Sequence, residues 1–326
     1  MKAIVCHELT GPAALRLEEV PEPCPGLGQV RVRVRACGVN FADSLITRGQ
    51  YQLQPQPPFS PGFEVAGEVL ELGAGVTSIA AGDRVIGIAG HGGYAEQAVI
   101  DAHRCVAMPA AMSFVHGAAF PVVFGTSHIA LWHRARLQAG ETLVVHGASG
   151  GVGLTAVAIG KQLGATVIAT ASSPEKLEVA RQHGADHLIN SRTEDLRVRI
   201  KALTDGRGAD VVYDPVGGDL FTASLRSVAF EGRILVIGFA GGTVPQIPAN
   251  HLLVKNVDVI GVNWPAYAEL NPHVMTTSFH MLMDWYLAGA IQPYISATYP
   301  LEQAVEALHQ VVTRQSTGKV IIAVNE

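Results

Sequence analysis

Residues Thr142 to Ala165 read TLVVHGASGGVGLTAVAIGKQLGA, and the rest of the chain takes its meaning from this stretch. An apolar run, TLVV, leads into Gly147, Gly150, Gly151 and Gly153, and then into a helical pattern with apolar residues at Val152, Ala156, Ile159 and Leu163. Glycines let a backbone turn sharply and approach a pyrophosphate, whose charge is met by unpaired N–H groups and the dipole at the start of a helix. The register is A-x-G-x-x-G, from Ala148 to Gly153, so alanine stands where the usual dinucleotide fingerprint has its first glycine. Taken alone, such a loop also serves tight strand–helix packing. The strand before it, the helix in it and a further strand–helix unit beyond it make it a nucleotide cradle, with Ala148, Gly150, Gly151, Val152 and Gly153 around the phosphates.

About 20 residues further on, an NAD-selective site places an acid on the adenosine ribose hydroxyls. Here the sequence is ATASSPEK, with Ser172, Ser173 and Lys176 and no carboxylate before Glu175. Hydroxyls and a cation suit a ribose 2′-phosphate, and Arg192 in LINSRTED adds a second positive charge, so NADPH is the expected cofactor. Ser173 also reads as a helix N-cap with Pro174 at the first helical position, a role compatible with phosphate binding. Lys176 and Arg192 taken singly also fit solvated surface residues.

Two textures flank this region. From Met1 to about Pro109 short alternating runs are broken by Gly and Pro; in QVRVRVRA valines alternate with arginines, the period-2 signature of a strand with one buried face. From Glu141 to about Trp264 apolar runs such as TVIATA, DVVYD and RILVIG alternate with helical patterns, which implies a parallel sheet in strand–helix–strand units. The last 60 or so residues hold two amphipathic helices and a strand, KVIIAV, and are expected to return to the first domain. The expected domains are 1–120 with 266–326, and 121–265.

The 326 residues carry a formal charge of −5 and no basic run, which disfavours nucleic acid and anionic membranes as partners. Cys6, Cys24, Cys37 and Cys105 are scattered without a C-x-x-C pair, as in a reduced compartment. No segment approaches 18 uninterrupted apolar residues, so a cytoplasmic protein acting on a small molecule is expected.

The segments GVNFADSLITRGQY, PFSPGFEVAGEV, GDRVIG, HGASGGVGL, VYDPVGG and RILVIGFAGG together resemble the medium-chain dehydrogenases/reductases, and within them the zinc-free quinone oxidoreductases that include zeta-crystallin. The likeness extends over about nine-tenths of the chain. It implies an α/β fold in which a Rossmann doubly wound parallel sheet is inserted in a β-rich GroES-like catalytic domain. It also implies a homodimer joined at the edges of the Rossmann sheets, and NADPH-dependent reduction of quinones or other conjugated carbonyls. Zinc alcohol dehydrogenases of the same superfamily place a cysteine ligand in a G-x-C turn and a histidine in G-H-E. This chain has Asn40 and Phe63 at those places, neither of which ligates zinc, so no metal is expected.

Hydride transfer is the cofactor's chemistry, which leaves the protein to hold the reactants and stabilise a developing oxyanion. By the resemblance, Asn40 and Tyr51 orient the substrate and polarise its carbonyl, although Asn40 also fits a turn and Tyr51 a surface loop. Thr126 is expected near the nicotinamide, or else bonded to local backbone. Phe239 and Ala240 are expected to present backbone to that ring, and Arg314 and Lys319 to send a cation towards the cofactor phosphates. Asp43 and Asp214 read as structural, the latter as an Asx turn, and Cys37 as a packed thiol. Ser191 stands where the family often has a tyrosine near the adenosine phosphate. An enoyl-thioester reductase and a non-catalytic, crystallin-like NADPH-binding protein are the alternative readings.

Overall fold

A computed structural model describes residues 1–324 of the chain. The chain forms two compact units, Met1–Val122 with the chain from Pro293 onward, and Val123–Gln292. The return to the first unit therefore comes later than the expected residue 266. The helix Pro272–Leu287 lies in the second unit, where Phe279 packs against Trp264 and Ser278 bonds to His128. Its apolar face was legible in the sequence, but not the partner that face would meet.

The first unit holds β1 (Lys2–Val5), β2 (Arg16–Glu19), β3 (Gln29–Val39), β4 (Glu64–Leu72), β5 (Arg84–Ile88), β6 (Gln97–Asp101) and β7 (Cys105–Ala107). To these the distal part of the chain adds β14 (Ile295–Pro300) and β15 (Lys319–Ala323). Its main sheet runs β14-β15-β3-β4-β5-β7, with β6 also paired to β3. The alternation read in QVRVRVRA is the alternation of faces in β3. Val30, Val32 and Val34 are buried, while Arg31 meets Glu22 and Glu71, and Arg35 meets Glu68, on the wetter side. Strand β15 lies antiparallel to β3, with Val320 opposite Val39 and Ile321 opposite Gly38. That register sets Lys319 beside the end of β3, where Asn40 follows.

The second unit is built on β8 (Thr142–Val145), β9 (Thr166–Ala171), β10 (His187–Asn190), β11 (Ala209–Asp214), β12 (Val228–Val236) and β13 (Asp258–Gly261). They pair in the order β10-β9-β8-β11-β12-β13, and every pairing is parallel. All four residues of β8 are buried, as a strand covered on both faces requires. The order reverses between β8 and β11, and open parallel sheets bind ligands at such a reversal, beyond the carboxyl ends of the strands. No helix among the described residues is long and apolar enough to cross a membrane.

Candidate functional site

At the carboxyl end of β8 the chain enters the glycine loop. Gly147 takes the left-handed conformation at φ +56°, Gly150 donates its N–H to the Gly147 carbonyl at 3.0 Å, and the helix Gly151–Gln162 begins. A Cβ on Gly153 would run into the Gly147 carbonyl and the Ala148 Cα, so only glycine lets this helix lie so close to the loop. Ala148 is fully buried and donates its N–H to Thr170 at 3.0 Å, tying the loop to the end of β9.

The loop rests on a buried polar knot that the sequence did not advertise. The Ser127 hydroxyl lies 2.9 Å from the Val152 carbonyl, 2.8 Å from Thr155 Oγ1 and 2.9 Å from the Tyr213 phenol. His146, the residue before Gly147, is held by Thr170 Oγ1 at 3.0 Å and Ser224 Oγ at 2.7 Å, and burial pushes its pKa down, which keeps the ring neutral. Asp214 closes β11 with an Asx turn, its Oδ1 accepting from the N–H groups of Val216 and Gly217 at 2.8 and 2.9 Å.

Beyond β9, Ser173 caps the helix Pro174–Gln182, its hydroxyl accepting from the Lys176 N–H at 3.4 Å. Ser172, Ser173 and Lys176 are half-buried and Arg192, after β10, is exposed. Ser191 donates its hydroxyl to the Ala171 carbonyl at 3.2 Å, holding the turn after β10 against the end of β9. Phe239 and Ala240 lie in the loop after β12, where the Ala240 N–H meets the Pro215 carbonyl at 3.0 Å and Phe239 is 38% exposed. The candidate residues from Ala148 to Gly153, with Ser172, Ser173, Lys176, Arg192, Phe239 and Ala240, thus all follow the carboxyl ends of four parallel strands, β8, β9, β10 and β12. Thr126 belongs to the same unit, buried in the helix Pro121–His128.

The first unit holds a second polar assembly. Asn40 caps the short helix Phe41–Ile46, and its N–H is taken by Asp43 Oδ2 at 2.8 Å. Asp43 also accepts from the Gly62 N–H and the Tyr94 phenol, at 3.0 and 2.9 Å, so it braces the turn. Burial pushes its carboxyl up to about 7 against the pull of these donors. Burial, and then the same carboxylate, push the thiol of Cys37 far above its ordinary value, which leaves it a packed and inert group.

The Asn40 side chain is fixed on every polar atom. Its Nδ2 donates to Glu64 Oε1 at 2.8 Å and to the Gly38 carbonyl at 3.3 Å, while its Oδ1 accepts from Lys319 Nζ at 2.6 Å. Lys319 also ion-pairs with Glu64 Oε1 at 2.5 Å, and Glu64 Oε2 accepts from the Val122 N–H at 2.7 Å. Glu64 is fully buried and Lys319 is 3% exposed.

The structure bears on two expectations. Lys319 is locked to Glu64 and Asn40, because a buried ammonium needs a compensating carboxylate. The Asn40 amide has both N–H groups directed into the protein, so it has none left with which to polarise a carbonyl. Arg314 is an exposed residue at φ +57°. Tyr51 is half-buried, its ring edge-on to Phe63 at 5.1 Å, and burial pushes its phenol above the ordinary range. Glu64 was missed in the sequence; its only signal was an acid at the head of an apolar strand in PGFEVAGEV. Among the described residues no group of three or more His, Cys, Asp or Glu side chains is placed to hold a metal ion.

The fold and its glycine cradle define a two-unit dehydrogenase, and the known proteins agree. Residues 26–110 match the alcohol dehydrogenase GroES-like domain, and 151–279 match the zinc-binding dehydrogenase family. The chain is 43% identical over 324 residues to quinone oxidoreductase-like protein 2 of Bos taurus, covering 99% of this chain and 92% of that one. The crystal structure of Escherichia coli quinone oxidoreductase complexed with NADPH superposes with a TM-score of 0.92 at 31% identity, covering 99% of this chain and 100% of the other. The Pseudomonas syringae quinone oxidoreductase superposes at 0.93 with 34% identity, over 99% of both chains. The chain belongs to the quinone oxidoreductase-like family of the medium-chain dehydrogenases/reductases.

Proposed function

We propose that this protein is an NADPH-dependent, zinc-independent reductase of quinones or other α,β-unsaturated carbonyl compounds. The observation that carries the reading is the cradle at the sheet's reversal point, where a backbone that only glycine permits at residue 153 meets two serines and a lysine with no intervening acid. These residues fit the cofactor: the loop N–H groups answer the pyrophosphate, and Ser172, Ser173 and Lys176, with Arg192, answer a 2′-phosphate. Thr126, Phe239 and Ala240 would hold the nicotinamide end. Arg314 remains a candidate for a phosphate contact.

When bound, NADPH supplies a hydride, and the second hydrogen of the hydroquinone or saturated carbonyl product arrives as a proton from solvent. Asn40 and Tyr51 belong to the substrate end, with the Tyr51 phenol as the donor and Asn40 as a fixed wall. Zinc independence is supported by Asn40 and Phe63, which supply no ligand, and by Lys319. Its ammonium already lies against Glu64 and Asn40, so a divalent cation beside it would meet like charge. A homodimer through β13 fits that strand's place at the sheet's edge.

Steady-state NADPH oxidation with 1,4-benzoquinone, a simple enone and crotonyl-CoA tests the reading. Turnover is expected with the first two. Turnover confined to crotonyl-CoA would make the protein an enoyl-thioester reductase, and tight NADPH binding without turnover on any acceptor would overturn enzymatic function.

A further inference from the structure

His146 stands in a polar row that crosses the parallel sheet at its reversal point. Val212, Val144 and Ile168 lie side by side on β11, β8 and β9, and Asp214, His146 and Thr170 follow two residues further on, on the same face. The His146 ring bonds along this row to Thr170 Oγ1 at 3.0 Å, and to Ser224 Oγ at 2.7 Å on the helix Gly218–Ser227, which follows β11. His146, Thr170 and Ser224 are fully buried. Ser224 donates its hydroxyl to the Leu220 carbonyl at 2.8 Å, so its oxygen accepts from Nε2–H, and the neutral ring takes the Thr170 hydroxyl at Nδ1. The next residue, Gly147, holds φ +56°, one of several regions open to glycine. Its neighbours on both sides are tied to Thr170, His146 through its ring and Ala148 through an N–H given to the Thr170 carbonyl at 3.0 Å.

We infer that His146 is a positioning residue for NADPH, a clamp between β9 and the helix after β11 that holds the glycine loop in the geometry that receives the pyrophosphate. This rests on the cofactor reading of that loop. Fully buried, His146 acts through the loop rather than on the phosphates. With Gly147 held from both sides, binding does not first have to order the turn. Where only a fraction of the molecules hold a competent loop, the apparent dissociation constant rises by the inverse of that fraction. An apolar row would serve the sheet alone nearly as well, because exchanging paired polar groups for apolar ones of the same shape costs little. What it would not give is a directional bond to the residue before Gly147.

The test removes one hydroxyl and then restores it. Thr170→Val, of nearly the same shape, leaves Nδ1 without its donor, whereas Thr170→Ser keeps the donor and deletes a buried methyl group. NADPH titrations of both variants and of wild type, with the unfolding midpoint of each, separate positioning from stability. Thr170→Val is expected to raise the NADPH dissociation constant by about three- to tenfold, the value of one hydrogen bond. Thr170→Ser is expected to bind within about twofold of wild type, although the lost methyl group lowers its unfolding midpoint. Affinity that follows the unfolding midpoint instead of the hydroxyl, or wild-type affinity in Thr170→Val, would overturn the inference and leave the cofactor reading standing. Wild-type protein that does not bind NADPH would bring both down together. Should Thr170→Val fail to fold, Ser224→Ala decides, since it takes the acceptor from Nε2–H. It is expected to weaken NADPH to a similar extent, and affinity equal to that of wild type would overturn the assignment.

Discussion

Lys176 lies in the first turn of the helix Pro174–Gln182, close to where a ribose 2′-phosphate would meet Ser172 and Ser173. A charge-assisted hydrogen bond of this kind contributes roughly 1.5–3 kcal/mol, or about 10- to 100-fold in affinity. Lys176→Ala is therefore expected to weaken NADPH by that factor and NADH hardly at all, as titrations of cofactor binding would show; equal losses for both would place the lysine elsewhere. His128 carries the residue-scale expectation for pH. Buried against Trp132 and Trp285 and bonded through Nδ1 to Ser278 at 2.8 Å, it is pushed down to about 4 by burial. Its folded value lies below its unfolded one, so between about 6.5 and 4 the unfolded chain takes up the proton first, and stability falls as pH falls. The loss is of the order of 1–2 kcal/mol between pH 7 and 5. Thermal unfolding at the two pH values should give a smaller drop for His128→Gln than for wild type, and an unchanged drop would rule out this group as its source. What the sequence hid at this scale was company. TRQSTGKV contains nothing to say that Lys319 meets Asn40, 279 residues away, because that meeting depends on the register of β15 against β3.

The glycine loop was the most legible element, since every feature that defines it is local: apolar strand, turn residues, helix start. The structure adds which glycine is indispensable. At Gly153 an added Cβ collides with backbone, whereas at Gly150, with φ −79°, it meets the Gly147 carbonyl at 3.4 Å. Gly153→Ala should cost roughly 1–3 kcal/mol of stability together with cofactor binding. Gly150→Ala should leave the unfolding midpoint nearly unchanged and weaken NADPH by placing a methyl group where phosphate approaches. Comparable unfolding midpoints for the two variants would mean that the helix can shift to accommodate residue 153. The helix Pro272–Leu287 shows the opposite limit. Its periodicity announced a helix with one apolar face, but which sheet it would cover depends on contacts with Trp264 and His128, and local pattern does not encode them.

For the molecule as a whole, the sequence conveyed the class of each unit because each is written in its own period, alternating in one and strand–helix in the other. It did not convey the polar interior of the first unit, where an ammonium stands against Glu64 and Asn40. That cluster carries the central claim, a reductase that works without a metal. The direct test is NADPH oxidation by 1,4-benzoquinone, using protein dialysed against EDTA beside untreated protein, with zinc content measured in both. Equal kcat at negligible zinc is the predicted result. Activity that is lost on dialysis and restored by Zn²⁺ would contradict it.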